Sequence, residues 1–180
     1  MFFTTDVLEH LSADGCTALV LAAKNGSTNV LEYLLRKGAN ATASDYEGNN
    51  SLHWATENGH LEAMRVLLRV IPIDSRNKKE ETPVLYAANK TSYFWSKEKS
   101  IEFLLDNGAD PMAVDEIGNT ALHKAALHGN KILIKLFKGR VPVESLNARL
   151  ETPFALACYF DENIKNEEYR VKNMLLSNEN

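Results

Sequence analysis

Five histidines, two cysteines and scattered carboxylates are the side chains of this sequence that could do chemistry. Zinc hydrolysis needs ligands that close on one ion, as in H-E-x-x-H on a helix or cysteines paired as C-x-x-C. His10, His53, His60, His123, His128, Cys16 and Cys158 form neither pattern. Acyl transfer needs a serine raised on a G-x-S-x-G elbow, and phosphate binding needs a G-x-G-x-x-G or G-K-S/T loop whose N–H groups face the anion. Neither occurs. Glu47, Glu57 and Glu116 could face one groove, but acid–base work requires carboxylates paired around a substrate, and scattered acids are far more often solvating or partner-contacting groups. The expectation is a chain with no catalytic residue, no cofactor and no metal ligand, and not an enzyme. Recognition chemistry is better represented. Tyr93, Phe94 and Trp95 are consecutive, and since helical neighbours diverge by about 100° they cannot all turn to one core face.

Composition narrows the partner class. The 180 residues are 44% hydrophobic and 24% charged, ordinary for a folded domain. A net charge of −4 argues against the basic stripe of a nucleic-acid binder. Acids interleave with the lysines in Lys78-Lys79-Glu80-Glu81 and Lys97-Glu98-Lys99, which read as solvated faces. No stretch reaches the roughly 18 apolar residues of a membrane span. The start, Met1-Phe2-Phe3-Thr4-Thr5-Asp6, has neither the basic nor the apolar region of a secretory signal.

The elements that must position these residues recur. One segment reads Thr17-Ala18-Leu19-Val20-Leu21-Ala22-Ala23, then Asn50-Ser51-Leu52-His53-Trp54-Ala55-Thr56. It returns as Thr82-Pro83-Val84-Leu85-Tyr86-Ala87-Ala88, Thr120-Ala121-Leu122-His123-Lys124-Ala125-Ala126 and Thr152-Pro153-Phe154-Ala155-Leu156-Ala157-Cys158, at spacings of 33, 32, 38 and 32. Each copy opens with an oxygen able to accept an orphan N–H of a helix start. Pro83 and Pro153 follow where a missing N–H costs nothing. In the second copy a helix is expected from about Ser51 to Glu57, a turn at Asn58-Gly59-His60, and a second helix with an apolar stripe of Leu61, Met64, Val66, Leu67 and Leu68. Asn25-Gly26-Ser27 and His128-Gly129-Asn130 are matching turns, before stripes of Val30, Leu31, Leu34 and Leu35, and of Leu133, Ile134, Leu136 and Phe137.

A T-P-L-H-x-A-like core at a period near 33 resembles the ankyrin repeat, and the resemblance covers Ala13 to Leu176. It implies an all-α ankyrin-repeat solenoid of stacked helix–turn–helix units joined by hairpin loops, no unit able to bury its stripe alone. The expectation is one domain over 1–180: a cap helix at 1–12 and repeats at 13–45, 46–76, 77–115, 116–147 and 148–180. The cap rests on Val7-Leu8-Glu9-His10-Leu11, which repeats the pattern of Val30-Leu31-Glu32-Tyr33-Leu34. His53 and His123 hold the motif's histidine position, which the resemblance makes structural, while His60 is expected to cap its helix and Trp54 to pack in the core. Cys16 and Cys158 would lie several layers apart, too far for a disulfide, so a reducing intracellular compartment is expected.

The departures from the pattern are informative. Two helix ends, Arg69-Val70-Ile71-Pro72-Ile73 and Gly139-Arg140-Val141-Pro142-Val143, replace the form seen in Gly38-Ala39-Asn40 and Gly108-Ala109-Asp110, and should turn less regularly. Inserts at 89–99 and 159–169 are expected to protrude opposite the hairpin tips. Val171, Met174, Leu175 and Leu176 form an apolar last helix, where a terminal cap should be polar, so a longer parent chain is expected.

The resemblance also implies where a partner binds: hairpin tips and the inner face of each first helix. Those positions are Asp14, Cys16, Tyr46, Glu47, Asn49, Glu57, Asn58, Lys78, Lys79, Glu81, Asn89 and Lys90. They continue with Glu116, Ile117, Asn119, Leu127, His128, Arg149, Glu151, Tyr159 and Phe160, and the inserted Tyr93, Phe94 and Trp95 join them. The implied function is a cytoplasmic protein–protein interaction module with a protein partner, no nucleic acid and no membrane span. The alternative is the substrate-recruiting arm of a larger enzyme. The lean to Asn, Lys, Glu and Ile with irregular repeats is similar to ankyrin-bearing effectors that intracellular bacteria deliver into eukaryotic cells. That likeness implies a host protein as partner and the host cytosol as the workplace.

Overall fold

The computed structural model describes residues 8–89 and 95–159, with Trp95, Ser96 and Tyr159 as backbone only. Among these residues nine helices follow one another, with isolated bridges but no strand. They come as α1 (Ala18–Lys24) and α2 (Thr28–Arg36), α3 (Ser51–Glu57) and α4 (Leu61–Leu67), α5 (Pro83–Ala88) and α6 (Trp95–Asp106), α7 (Ala121–Leu127) and α8 (Lys131–Phe137), then α9 (Pro153–Tyr159). These are the helix–turn–helix units that the resemblance implies.

Each first helix starts where its capping oxygen stands. Thr17 Oγ1 accepts the N–H of Val20, Asn50 Oδ1 those of Leu52 and His53, and Thr82, Thr120 and Thr152 those of Leu85, His123 and Ala155. Each such bond satisfies a helix-start donor that would otherwise be orphaned, worth about 1 kcal/mol. The second helices stop in two ways. Before Ala39 and Ala109, glycine lets the chain close with the Ala39 N–H on Leu34 O (3.1 Å) and the Ala109 N–H on Leu104 O (3.0 Å). At the two departing ends the closure is a residue shorter, Ile71 to Leu67 O (2.8 Å) and Val141 to Phe137 O (2.9 Å). The irregularity read from the missing glycine pattern is thus a different carbonyl pairing.

The chain divides into two compact units, Met1–Ala87 with Phe94–Ala109, and Ala88–Tyr93 with Asp110–Asn180. In the first, α1 packs on α2 and α3, α3 on α4 and α6, and α2 on α4. Leu19, Leu31, Leu52, Met64, Leu67, Ile101 and Leu104 are fully buried there, each contributing about 1.5–3 kcal/mol of transfer free energy. Ala23 and Ala55 are equally buried, and their small size permits close helix approach. Leu8 is buried, and Glu9 Oε1 accepts the N–H of Asn40 (2.8 Å), so the start of the described chain docks beside the end of α2. In the second unit α7 packs on α8 and α9, around Leu122, Leu133, Ile134 and Phe137.

The first insert departs from expectation. Its second half is not a protruding loop: α6 spans 12 residues where α2 spans 9 and α4 and α8 span 7, and with Ile101 and Leu104 in the register of Leu31 and Leu34, residues 95–97 lengthen the second helix at its start. The extra turn buries Lys97, whose Nζ lies 3.4 Å from Glu57 Oε2, although the mixed charge run predicts a solvated side chain. Residues 160–169 of the second insert and the last apolar helix lie outside the described residues.

Candidate protein-interaction surface

The tips are built on one short polar residue each. In the first unit Asp45 Oδ1 accepts the N–H groups of Glu47 and Asn49, both at 2.9 Å, while Oδ2 accepts Asn49 Nδ2 (3.1 Å) and the indole Nε1–H of Trp54 (2.9 Å). Asn77 does the same with an amide: Oδ1 accepts Lys79 and Glu81 N–H, and Nδ2 donates to Glu81 Oε2 (2.9 Å) and to Asn49 Oδ1 (2.8 Å) on the preceding tip. A backbone bond from Lys78 N–H to Glu47 O (3.0 Å) ties the two tips together. Such fully satisfied networks hold a loop in one shape. Tyr46, Glu47, Lys78 and Lys79 consequently stand outward on a braced base, all exposed, Tyr46 to 62%. The Tyr46 ring lies over Gly15, where an added Cβ would come within 2.6 Å of a ring carbon.

The turn geometry demands a left-handed residue at the fourth tip position. Gly48 and Gly118 fill it with φ of 82° and 78°, and a Cβ there would meet the backbone N of Lys78 at 2.8 Å or of Ala148 at 2.9 Å. Glu80 and Leu150 fill the same position at φ 58° and 60° and bear the strain of an L side chain there.

Four residues mapped to the partner surface are braces instead, Asn119 of the second unit among them, buried and bonded to Asp115 and Asn147. Asn49, Glu57 and Glu81 are buried, Asn49 bonded to Asp45 and Asn77, Glu81 to Asn77, and Glu57 paired with Lys97. Cys16 is buried too, and burial, with Asp45 nearby, pushes its thiol above the usual range. The opposite correction applies to Trp54. Its place in the repeated segment predicts a core side chain, yet it is half-exposed on the tip side of α3. Its indole meets the edge of Tyr86 (ring centroids 5.7 Å apart, 75° between planes), and Lys24 Nζ sits 4.0 Å over its ring. The sequence did carry a signal: Leu21, Trp54, Tyr86 and Lys124 occupy one register position of the repeated segment, and so do Lys24, Glu57, Asn89 and Leu127.

The second unit repeats the plan with different chemistry. Asp115 Oδ1 accepts Ile117 and Asn119 N–H, and its Oδ2 takes Lys124 Nζ at 2.8 Å, where Asp45 takes an indole. Asn147 joins the tips through Asn119 Oδ1 (2.9 Å), and Ala148 N–H through Ile117 O (2.9 Å). Glu116 and Arg149 are exposed, while Ile117, Leu127 and His128 are half-buried. His128 Nε2 lies 3.3 Å from Asn89 Oδ1. Lys90, Tyr93, Phe94 and Phe160 lie outside the described residues, as do the side chains of Trp95 and Tyr159.

The motif histidines are structural. His53 Nε2 donates to Glu81 O (3.0 Å) and Nδ1 accepts the Asn50 N–H (3.3 Å), the neutral tautomer. His123 makes the matching bonds to Glu151 O and Thr120 N–H. Burial holds both below the usual histidine range. His60 opens α4 without a side-chain cap and reaches back, with Asn58, to Lys24 O (3.1 and 3.0 Å). It is an inter-repeat staple rather than the expected cap. Among the described residues no group of three or more His, Cys, Asp or Glu is placed to hold a metal ion, and no helix is long and apolar enough to cross a membrane.

Family models described as ankyrin repeats match residues 3–78 and 84–137. The chain is 37% identical over 117 residues to the E3 ubiquitin-protein ligase XBAT33 of Arabidopsis thaliana, covering 64% of this chain and 21% of that protein. It is 35% identical over 146 residues to human neurogenic locus notch homolog protein 1, covering 79% of this chain and 6% of that one. The E3 ubiquitin-protein ligase KEG of Arabidopsis thaliana is 36% identical over 121 residues, 66% of this chain and 7% of the ligase. The chain thus spans about a fifth or less of the length of these relatives.

Proposed function

This chain belongs to the ankyrin-repeat family, and we propose from that premise that it binds a partner protein through its tips and the adjoining faces of its first helices. The observation that carries the reading is the pair of braced tips in the first unit. They hold Tyr46, Glu47, Lys78 and Lys79 exposed while their own polar groups are satisfied internally. A rigid platform presenting an exposed aromatic loses little entropy on binding, and aromatic anchors dominate interface energetics. The five-repeat division read from the sequence frames this reading, with the second unit's Glu116, Ile117, Leu127, His128 and Arg149 as its further contacts.

The test is affinity capture from eukaryotic and bacterial lysates, comparing the chain with Tyr46→Ala/Lys79→Ala. Loss of one specific protein in the variant supports the reading; capture of the same proteins by both refutes this surface. Capture from the eukaryotic lysate alone would support the setting that composition suggests, a host protein met in the host cytosol. A second reading, the recruiting arm of a larger enzyme, is favoured by the matches to two E3 ubiquitin-protein ligases of which the chain covers only a part. The reading frame on both sides of the sequence tests it: a flanking catalytic domain supports it, and stop codons at both ends refute it.

A further inference from the structure

Lys24 and Trp54 form a cation on a fixed plate. Three contacts hold the plate: the indole N–H on Asp45 Oδ2, the edge of Tyr86, and the Lys24 ammonium 4.0 Å over the ring. The cation is fixed at its base, because Lys24 O accepts both Asn58 Nδ2 (3.0 Å) and His60 Nε2 (3.1 Å) from the next repeat. Leu21, one turn earlier on α1, is exposed to 36%, so apolar surface adjoins the charge.

The charge ledger of this face is uneven. Its buried acids are spent internally: Asp45 on Trp54 and Asn49, Glu57 on Lys97, and Glu81 on Asn77. Lys24, Lys78 and Lys79 pair with no carboxylate among the described residues, although the whole chain carries −4. Asp14 and Glu47 stand exposed on the neighbouring tips, so the anion seat is local to Lys24 and not a property of the entire face.

We propose, resting on the partner-binding reading above, that the Lys24–Trp54 pair is an anchor for an acidic peptide segment, a carboxylate with an apolar side chain within one turn of it. The carboxylate takes the ammonium in a charge-assisted hydrogen bond, and the neighbouring apolar group covers the half-exposed indole and Leu21. Preorganisation is what the seat offers, since ring, ammonium and backbone are already placed.

The probe is a displayed library of random 12-residue peptides selected on the intact chain. Selected peptides are then titrated while the indole N–H resonance of Trp54, assigned by its loss in Trp54→Phe, is followed by NMR. Selected sequences are expected to carry Asp or Glu beside Leu, Phe or Trp, and to shift that resonance. Replacing the acid by its amide, or Lys24 by Gln, should weaken binding at least tenfold, while Lys24→Arg retains it. Peptides without acids, or unchanged affinity for Lys24→Gln, would overturn the anchor. If such peptides still lose binding with Tyr46→Ala, the partner-binding reading stands and only the anchor falls. A phosphoserine peptide preferred tenfold over its Asp counterpart would overturn the carboxylate assignment. A library yielding no binder also overturns the anchor, and lysate capture then decides the broader reading by itself.

Discussion

Replacing Leu150 by glycine should stabilise this protein, against the usual direction for a leucine. Leu150 holds φ of 60° at the tip position filled elsewhere by Gly48 and Gly118. An L residue there costs about 1–2 kcal/mol, and glycine gives back about 0.5–1 kcal/mol through the freedom of its unfolded chain. The side chain is 78% exposed, so little packing is lost, and the Leu150 N–H to Asn147 O bond (3.0 Å) is retained. The net expectation for Leu150→Gly is a gain of about 0.5–1 kcal/mol, or about 1–4 °C in melting temperature for a chain of this size. Leu150→Ala keeps the strained φ and should change stability by less than about 0.5 kcal/mol. Urea unfolding followed by circular dichroism, at unchanged m-value, measures both. Equal gains from alanine and glycine, or no gain from glycine, would refute the strain argument. Glu80→Gly should gain less, because it removes the exposed Arg76–Glu80 pair at 3.7 Å, worth about 0–1 kcal/mol.

Three other outcomes are expected. Both motif histidines have folded pKa values below the free value near 6.5, so the unfolded chain binds the extra proton. Their stability contribution is complete above that pH and is lost as pH falls from there toward the folded values; urea midpoints at pH 7.5 and 5.5 should show the drop, reduced in a His53→Gln/His123→Gln variant. Lys97→Met removes the ammonium from the buried Glu57 carboxylate and should cost about 3–5 kcal/mol, while Glu57→Leu/Lys97→Met should recover most of it, read by thermal melts of the double-mutant cycle. Trp54→Phe deletes the indole donor to buried Asp45 and should cost about 1.5–3 kcal/mol by urea unfolding, a loss that a ring serving only as exposed surface would not produce.

Local chemistry was legible in the sequence. The bounds of α3, Ser51–Glu57, and all five helix-start residues follow from capping and spacing, which act within a few residues and recur at a near-constant period. What escaped depends on neighbours distant along the chain. Trp54 reads as a core aromatic until the carboxylate of Asp45, nine residues earlier, is seen to draw its indole to the tip side. Lys97 sits in a mixed charge run that reads as solvated, and only the extra turn of α6 brings it to Glu57. Asn49 and Glu81 occupy positions the family exposes, but the Asn77 amide binds both and takes them into the tip.

Amide hydrogen exchange of the chain with and without its captured partner tests the central claim most directly. The account predicts slowed exchange in the tips at 44–50 and 76–82 and in α1 and α3, with α2 and α4 unchanged on their solvent sides. Protection confined to α2, α4 and α8, or absent from both tips, would contradict it.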